Sequence, residues 1–341
     1  MGMGFRWCCL LCMFSSTVMG EFPCSFENSI QPSQLCLKRD CSKKYKPLKI
    51  LMLLWQNLTK TEKSFLKKLE TMGYSVESTI ENLNRDQKYL RQVLKQKYDA
   101  ADYDYIYSSG TLTSILTSEW AKKQNTPLVF NTVHFPIKTG LITDDEHNGG
   151  NLAGVEIFAP ISSQLDQIQK IIPIDRLAII VNSDEQSSLD AYNECESYCN
   201  KNNKQLERFD IKNNDDIKNF IKLSKENLLK NDAILVASNE FNEEQATQFF
   251  KYTNKHKIIT IVGQEAMLTY GANFGVITSC DEAGTIAAEI IYFNQKKIKM
   301  NNIPLQSGTF EPVFNEQTMS KEHLDACEEN GFTSLRSFFA F

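Results

Sequence analysis

Four histidines among 341 residues, His134, His147, His256 and His323, share no metal-ligand spacing. No Gly-x-Ser-x-Gly elbow occurs, and no phosphate loop ending in Gly-Lys-Ser/Thr. These absences remove the recognisable zinc-hydrolase, serine-hydrolase and P-loop classes, and no cofactor or metal is expected. No dense Lys/Arg block is present and the net charge is −5, so a nucleic-acid surface is not expected. After the first 20 residues no apolar run approaches the length that crosses a bilayer.

What is present begins with a leader. Arg6 precedes an apolar run over residues 7–14, and Val18 and Gly20 suit cleavage before Glu21, the layout of a secretory signal. Removal of residues 1–20 takes Cys8, Cys9 and Cys12 and leaves Cys24, Cys36, Cys41, Cys195, Cys199, Cys280 and Cys327. In an oxidising compartment some of the seven should pair, and an odd number leaves one over. Cys195 and Cys199 lie one turn apart on an expected helix, but no His or second Cys pair stands at zinc spacing. Residues 21–46 lack periodicity and read as an arm.

From residue 49 the chain alternates. The run 49–54, apolar after Lys49, reads as a buried parallel strand. A helix follows, capped by Thr59 or Thr61, with Phe65, Leu66, Leu69 and Met72 on one face and Gly73 ending it. Strands are expected at 74–80, 103–107, 127–131 and 152–158, with helices at 86–97 and 112–123. The stretch 149–182 then reads as strand, break at Ala159-Pro160, amphipathic helix 163–171, Pro173 stop and a new strand 177–181. After it the rhythm repeats: helices at 187–200, 216–229, 243–256, 264–270 and 281–295, and strands at 205–210, 233–237, 258–262 and 272–278. Such alternation predicts an α/β protein, two Rossmann-like doubly wound lobes with parallel sheets and a crossing between them. Ligands in open α/β sheets gather at the carboxyl ends of strands. The residues there are Trp55, Gln56, Ser108, Gly110, Thr111, Asn131, Asn182, Ser183, Ser238, Asn239, Gly263 and Gln264. Most are small or amide-bearing, the mix that hydrogen-bonds a small polar solute, although the same types dominate turns and caps. Residues 108–111 also place N–H groups at a helix start, where an anion is favoured. Trp55 is placed to stack on a flat ligand or to pack beneath a loop.

Three blocks in register carry a resemblance. Residues 149–155, GGNLAGV, look like a GGNxTGV signature; residues 103–111, YDYIYSSGT, and 127–141, PLVFNTVHFPIKTGL, are similar to "vDlI.a.GT" and "PIVF..v.dPv..gL". Together they resemble the ABC-transporter substrate-binding family that includes tryptophan-type and other aromatic amino-acid receptors, over about residues 47–325. The resemblance implies the type I periplasmic-binding-protein fold with a three-strand hinge. Crossings are expected near 158–161, 278–280 and 302–304, giving lobe 1 as 47–158 plus 279–301 and lobe 2 as 159–278 plus 302–341. The helix at 281–295 should pack back on the first lobe.

The resemblance also implies a non-enzymatic, monomeric, periplasmic or secreted protein that captures a small ligand between its two lobes, an amino acid (aromatic ones included) or a related small polar molecule, and hands it to an ABC permease in the inner membrane. A ligand-sensing module for a signalling partner is the alternative. The sequence departs from the family where an acidic residue is usual: it has Asn239 and then Glu240, and Ser279 followed by Cys280 near the second crossing. Glu240 or Asp281 is then left to face an ammonium group, which when buried needs a partner.

Overall fold

The computed structural model describes residues 46–143, 150–225, 232–237 and 241–339. The leader, residues 21–45 of the arm with Cys24, Cys36 and Cys41, and His147, Gly149, Ser238, Asn239 and Glu240 lie outside the described residues. Residues 45–341 form one compact unit.

The first half opens with β1 (Leu48–Leu54), α1 (Lys60–Thr71), β2 (Val76–Asn82), α2 (Gln87–Gln92), β3 (Tyr105–Ser109), α3 (Thr111–Lys123), β4 (Leu128–Val133) and β5 (Leu152–Glu156). β1 is apolar on both faces because it lies inside the sheet, between β3 and β2, with residues 50–54 almost wholly buried. Thr59 starts α1 in a capping box with Glu62, so the first of the two caps expected is the one used. The helix expected over 86–97 is α only to Gln92; the last turn widens into a π turn over Val93–Lys97. Lys97 there meets Glu81 at 2.6 Å, alongside the Tyr98 hydroxyl at 2.7 Å.

The chain continues with α4 (Ile161–Ile168), β6 (Arg176–Val181), α5 (Gln186–Lys201), β7 (Gln205–Asp210), α6 (Asn214–Lys225), β8 (Ala233–Val236), α7 (Glu243–Lys255), β9 (Ile259–Val262), α8 (Glu265–Thr269) and β10 (Phe274–Ile277). It returns through α9 (Cys280–Gln295) and ends with β11 (Gln306–Ser307), β12 (Glu311–Phe314), α10 (Lys321–Glu329), β13 (Thr333–Ser334) and α11 (Leu335–Phe338).

Two sheets result. The first runs β11-β5-β4-β3-β1-β2 and is parallel throughout; the second runs β13-β12-β10-β9-β8-β6-β7. The strand order β7-β6-β8-β9-β10 repeats β2-β1-β3-β4-β5, so the two halves share one winding pattern. The sheets are parallel as expected, with one antiparallel pair at an edge of the second. β12 runs antiparallel to β10, and β13 follows β12. The sequence past 301 is too short in its apolar runs to announce these two- to four-residue strands.

The chain passes from the first sheet to the second after β5 and returns after β10, where α9 packs along α1 and behind β4 and β5. The third passage lies between β11 and β12. Ile303 is buried in the core of the first sheet and β11 pairs with β5, which keeps residues 303–307 with that sheet. Gly154 explains part of the GGNLAGV block: a side chain there would put its Cβ 2.3 Å from Phe130, where β4 and β5 lie against each other.

Four cysteines fall in described residues, Cys195, Cys199, Cys280 and Cys327, and all are free. The expectation that some pair is not met among them. Cys195 and Cys199 share one buried face of α5, where a hydrogen bond with Cys199 and then burial push the Cys195 thiol up and keep it protonated. No helix of the described residues is long and apolar enough to cross a membrane.

Candidate functional site

The strand ends of the first sheet converge on the start of α3. Trp55 N–H donates to the Ser109 carbonyl at 3.2 Å, and Gly110 N–H to the Asn131 carbonyl at 3.0 Å, which ties β1, β3 and β4 together at one rim. Gly110 has φ +99°, a conformation open to glycine. A side chain there would also begin 3.1 Å from Trp55 Cβ, so the backbone can pass the Trp55 side chain only because residue 110 is bare. Gly110 gives α3 no capping side chain, and the first N–H groups of a helix have no intrahelical acceptor. Within the first turn, the Thr113 hydroxyl is fully buried and has no hydrogen-bond partner. It sits 3.8 Å from the point where a Gly110 side chain would start.

Several expected contacts are already engaged in holding this rim. Ser108 is buried, its hydroxyl 2.8 Å from that of Ser114. Thr111 Oγ1 accepts the His134 N–H at 3.1 Å. Asn131 is wholly buried; its amide donates to the Ala283 carbonyl on α9 at 3.1 Å and its oxygen accepts the Thr132 N–H at 2.7 Å. Gln56 is exposed and accepts from Arg85 at 2.8 Å. Trp55 is half-buried.

The second sheet contributes a different pattern. Asn182 closes a turn, its oxygen accepting Asp184 N–H at 3.0 Å and its amide donating to Glu185 at 3.1 Å. Ser183 N–H donates to Asp210 at 3.0 Å. Gln264 precedes α8 and is half-buried. Ser279 caps α9, its hydroxyl accepting Asp281 N–H at 3.2 Å. Asp281 itself faces Lys60 at 2.7 Å. Burial works to raise its carboxyl, but hydrogen bonds from Lys60 and Ser64 outweigh that and hold it below the usual range. Asp281 is therefore a partner of α1, not a carboxylate left over for an ammonium group.

The two halves meet through aromatic residues that the pattern of strand ends did not single out. Phe158, on the first passage, lies against Gly263: a side chain on Gly263 would come within 2.6 Å of the Phe158 ring. His134 stacks on Phe158 with centroids 4.7 Å apart, and Phe135 meets it edge-on at 5.2 Å. Phe135 follows β4 of the first sheet yet is buried in the core cluster of the second. It stands where the resemblance has the acidic residue of "dPv", so the signal was a departure from pattern. Burial lowers the His134 imidazole to about 4, and it stays neutral. Lys138 sits 4.6 Å over the Phe135 ring and pairs with Glu194 of α5 at 3.6 Å.

Among the described residues no group of His, Cys, Asp and Glu is placed to hold a metal ion. The shallow depression over Glu243, Glu244, Thr247, Gln248 and Lys251 is walled by α7 alone and encloses nothing.

The family model for ABC transporter substrate binding proteins matches residues 52–329. The chain belongs to that family. Three solved structures illustrate the fold of this substrate-binding protein. A conserved domain protein from Vibrio cholerae O1 biovar eltor is 17% identical with a TM-score of 0.70, covering 84% of this chain and 96% of the other. An ABC domain in complex with L-Trp from Streptococcus pneumonia is 20% identical with a TM-score of 0.69, covering 84% and 95%. A ligand-free, open substrate-binding protein with adhesive properties from Clostridium difficile is 18% identical with a TM-score of 0.63, again covering 84% and 95%. The fold is that of the type I periplasmic binding proteins. No curated protein matches the sequence. The family is normally periplasmic or extracellular and works with membrane permeases.

Proposed function

We propose that this protein is the solute receptor of an ABC importer, acting outside the cytoplasmic membrane, and that its ligand is a small carboxylate with a flat apolar body. The start of α3 carries this reading. An uncapped helix N-terminus favours an anion, and the buried Thr113 hydroxyl beside it has no protein partner. Trp55 packs against the same backbone at Gly110 and offers a face for the apolar part of the ligand. Ser108, Thr111 and Asn131 hold the rim in place through their own hydrogen bonds. Gly263, Gln264, Asn182 and Ser183 are assigned to the opposing wall.

Capture follows from the two-sheet plan. A ligand bound at the α3 start draws the second lobe over it, and the closed state gains only the ligand's differential affinity for that state. The closed pair of lobes then presents one surface to the permease.

A thermal-shift screen with aromatic and aliphatic amino acids, their deaminated acids, nucleosides and amides tests the reading. A ligand at 100 times its Kd adds about 2.7 kcal/mol of stability. Stabilisation by carboxylates and not by their amides is expected; a response to nucleosides alone would refute the assignment.

A further inference from the structure

The end of β4 is distorted in a way that helix ends and glycine do not explain. Among the described residues other than glycine, positive φ occurs at Asn84, Arg85, Asn125, Thr132, Phe135, Asn203, Lys257 and Lys297. Asn125, Asn203, Lys257 and Lys297 each follow a helix, where a left-handed residue is ordinary termination. Thr132 ends no helix, and it is β-branched with φ +58°, a conformation that such side chains resist. The distortion coincides with a bulge. Phe130 pairs with Gly154 but Val133 with Glu156, so Asn131 and Thr132 together oppose one residue of β5. The surroundings hold the bulge firmly: Asn131 accepts the Thr132 N–H at 2.7 Å, donates to Ala283 at 3.1 Å, and takes the Gly110 N–H on its carbonyl at 3.0 Å.

The effect is to place the half-buried Thr132 side chain at the rim beside the α3 start, its hydroxyl 3.5 Å from that of Ser109. That separation is at the limit of a hydrogen bond, so both hydroxyls retain most of their capacity to bond a third group. Strain held by its neighbours at the mouth of a site points to function.

We infer that Thr132, with Ser109 beside it, is a specificity-determining contact, its hydroxyl donating to the ligand carboxylate that the α3 start attracts. This rests on the solute-receptor reading above. Neither residue belongs to the set of strand-end residues that the sequence pattern selects. Thr132→Gly keeps the backbone conformation without resistance and deletes the hydroxyl. Thr132→Val keeps the shape and the resistance and deletes only the hydroxyl.

The test is calorimetric binding of a carboxylate found in the thermal screen, with ligand-free melting temperatures measured for each variant. Thr132→Gly is expected to melt roughly 2–4 °C above the parent while binding about tenfold more weakly, a loss of about 1.4 kcal/mol. Thr132→Val should lose a similar factor without the gain in melting temperature, and Ser109→Ala should weaken binding in the same direction. A parent that binds carboxylates while Thr132→Val binds within twofold of it overturns this inference alone. A parent that binds no carboxylate overturns the ligand reading, and this inference with it.

Discussion

Gly284 of α9 lies directly on Thr61 of α1: a Cβ at residue 284 would sit 2.2 Å from the Thr61 carbonyl oxygen and 2.9 Å from the Phe65 amide nitrogen. The obstacles are backbone atoms, so no rotamer change relieves them. This contact lets a helix that begins at the second passage settle onto the first sheet, and it fixes how closely the returning chain approaches.

Gly284→Ala should therefore separate α1 from α9 and cost about 2 kcal/mol or more, the upper part of the range for overpacking. Urea unfolding of the parent and variant measures this. A change below about 0.5 kcal/mol would show that the helices slide apart freely.

Phe135 and Lys138 join the same two halves by different means, and their magnitudes differ. Phe135 is buried among side chains of the second core, so Phe135→Ala should cost about 3 kcal/mol. Lys138 is half exposed in its pair with Glu194, and Lys138→Ala should cost no more than about 0.5 kcal/mol. Equal losses in chemical denaturation would contradict the view that packing, and not charge, holds this loop.

His134 gives a pH dependence with a definite sign. Its folded pKa of about 4 lies below the unfolded value of 6.5, so between those values the unfolded chain binds more protons and stability rises with pH. The contribution is complete above pH 6.5 and is lost as pH falls towards 4. It amounts to about 3 kcal/mol in all. Carboxylates held below their usual range, such as Asp281 and Asp232, lose stability in the same direction. The His134 share is therefore the difference between the parent and His134→Gln across that window. Parallel stability curves for the two proteins would remove it.

Trp55→Ala should weaken an aromatic carboxylate by about tenfold or more while leaving a small aliphatic one nearly unchanged, since only the flat body uses the ring. Isothermal titration with one ligand of each kind decides it. Equal affinity of parent and variant for the aromatic ligand would take Trp55 out of the site.

Much of the architecture was readable because it is periodic. The run at β1 is apolar from Ile50 to Leu54, as a strand covered on both faces must be, and the strand at 205–210 has the bounds the pattern assigns. The break at Ala159-Pro160 marks the first passage. The closing strands were not legible: β11 and β13 are two residues each and owe their form to partners far along the chain. At the strand ends, the sequence named residues that the fold gathers at one rim but not each side chain's task. Asn131 and Asn182 carry the amides that suit a ligand, yet both are bonded within the fold. Thr132, by contrast, reads as an ordinary strand residue until its backbone angle is seen.

The sequence by itself determined the order of the strands and helices from β1 to α9, the family blocks and the absence of recognisable catalytic motifs. These depend on local propensity and on the spacing of apolar residues, which neighbours in the chain carry in full. The tertiary structure alone decided that Phe135 enters the opposite core, that Asp281 is spent on Lys60 and that Gly284 must be bare. Each of those depends on atoms brought together from distant parts of the chain, and a distance between remote residues has no local signature.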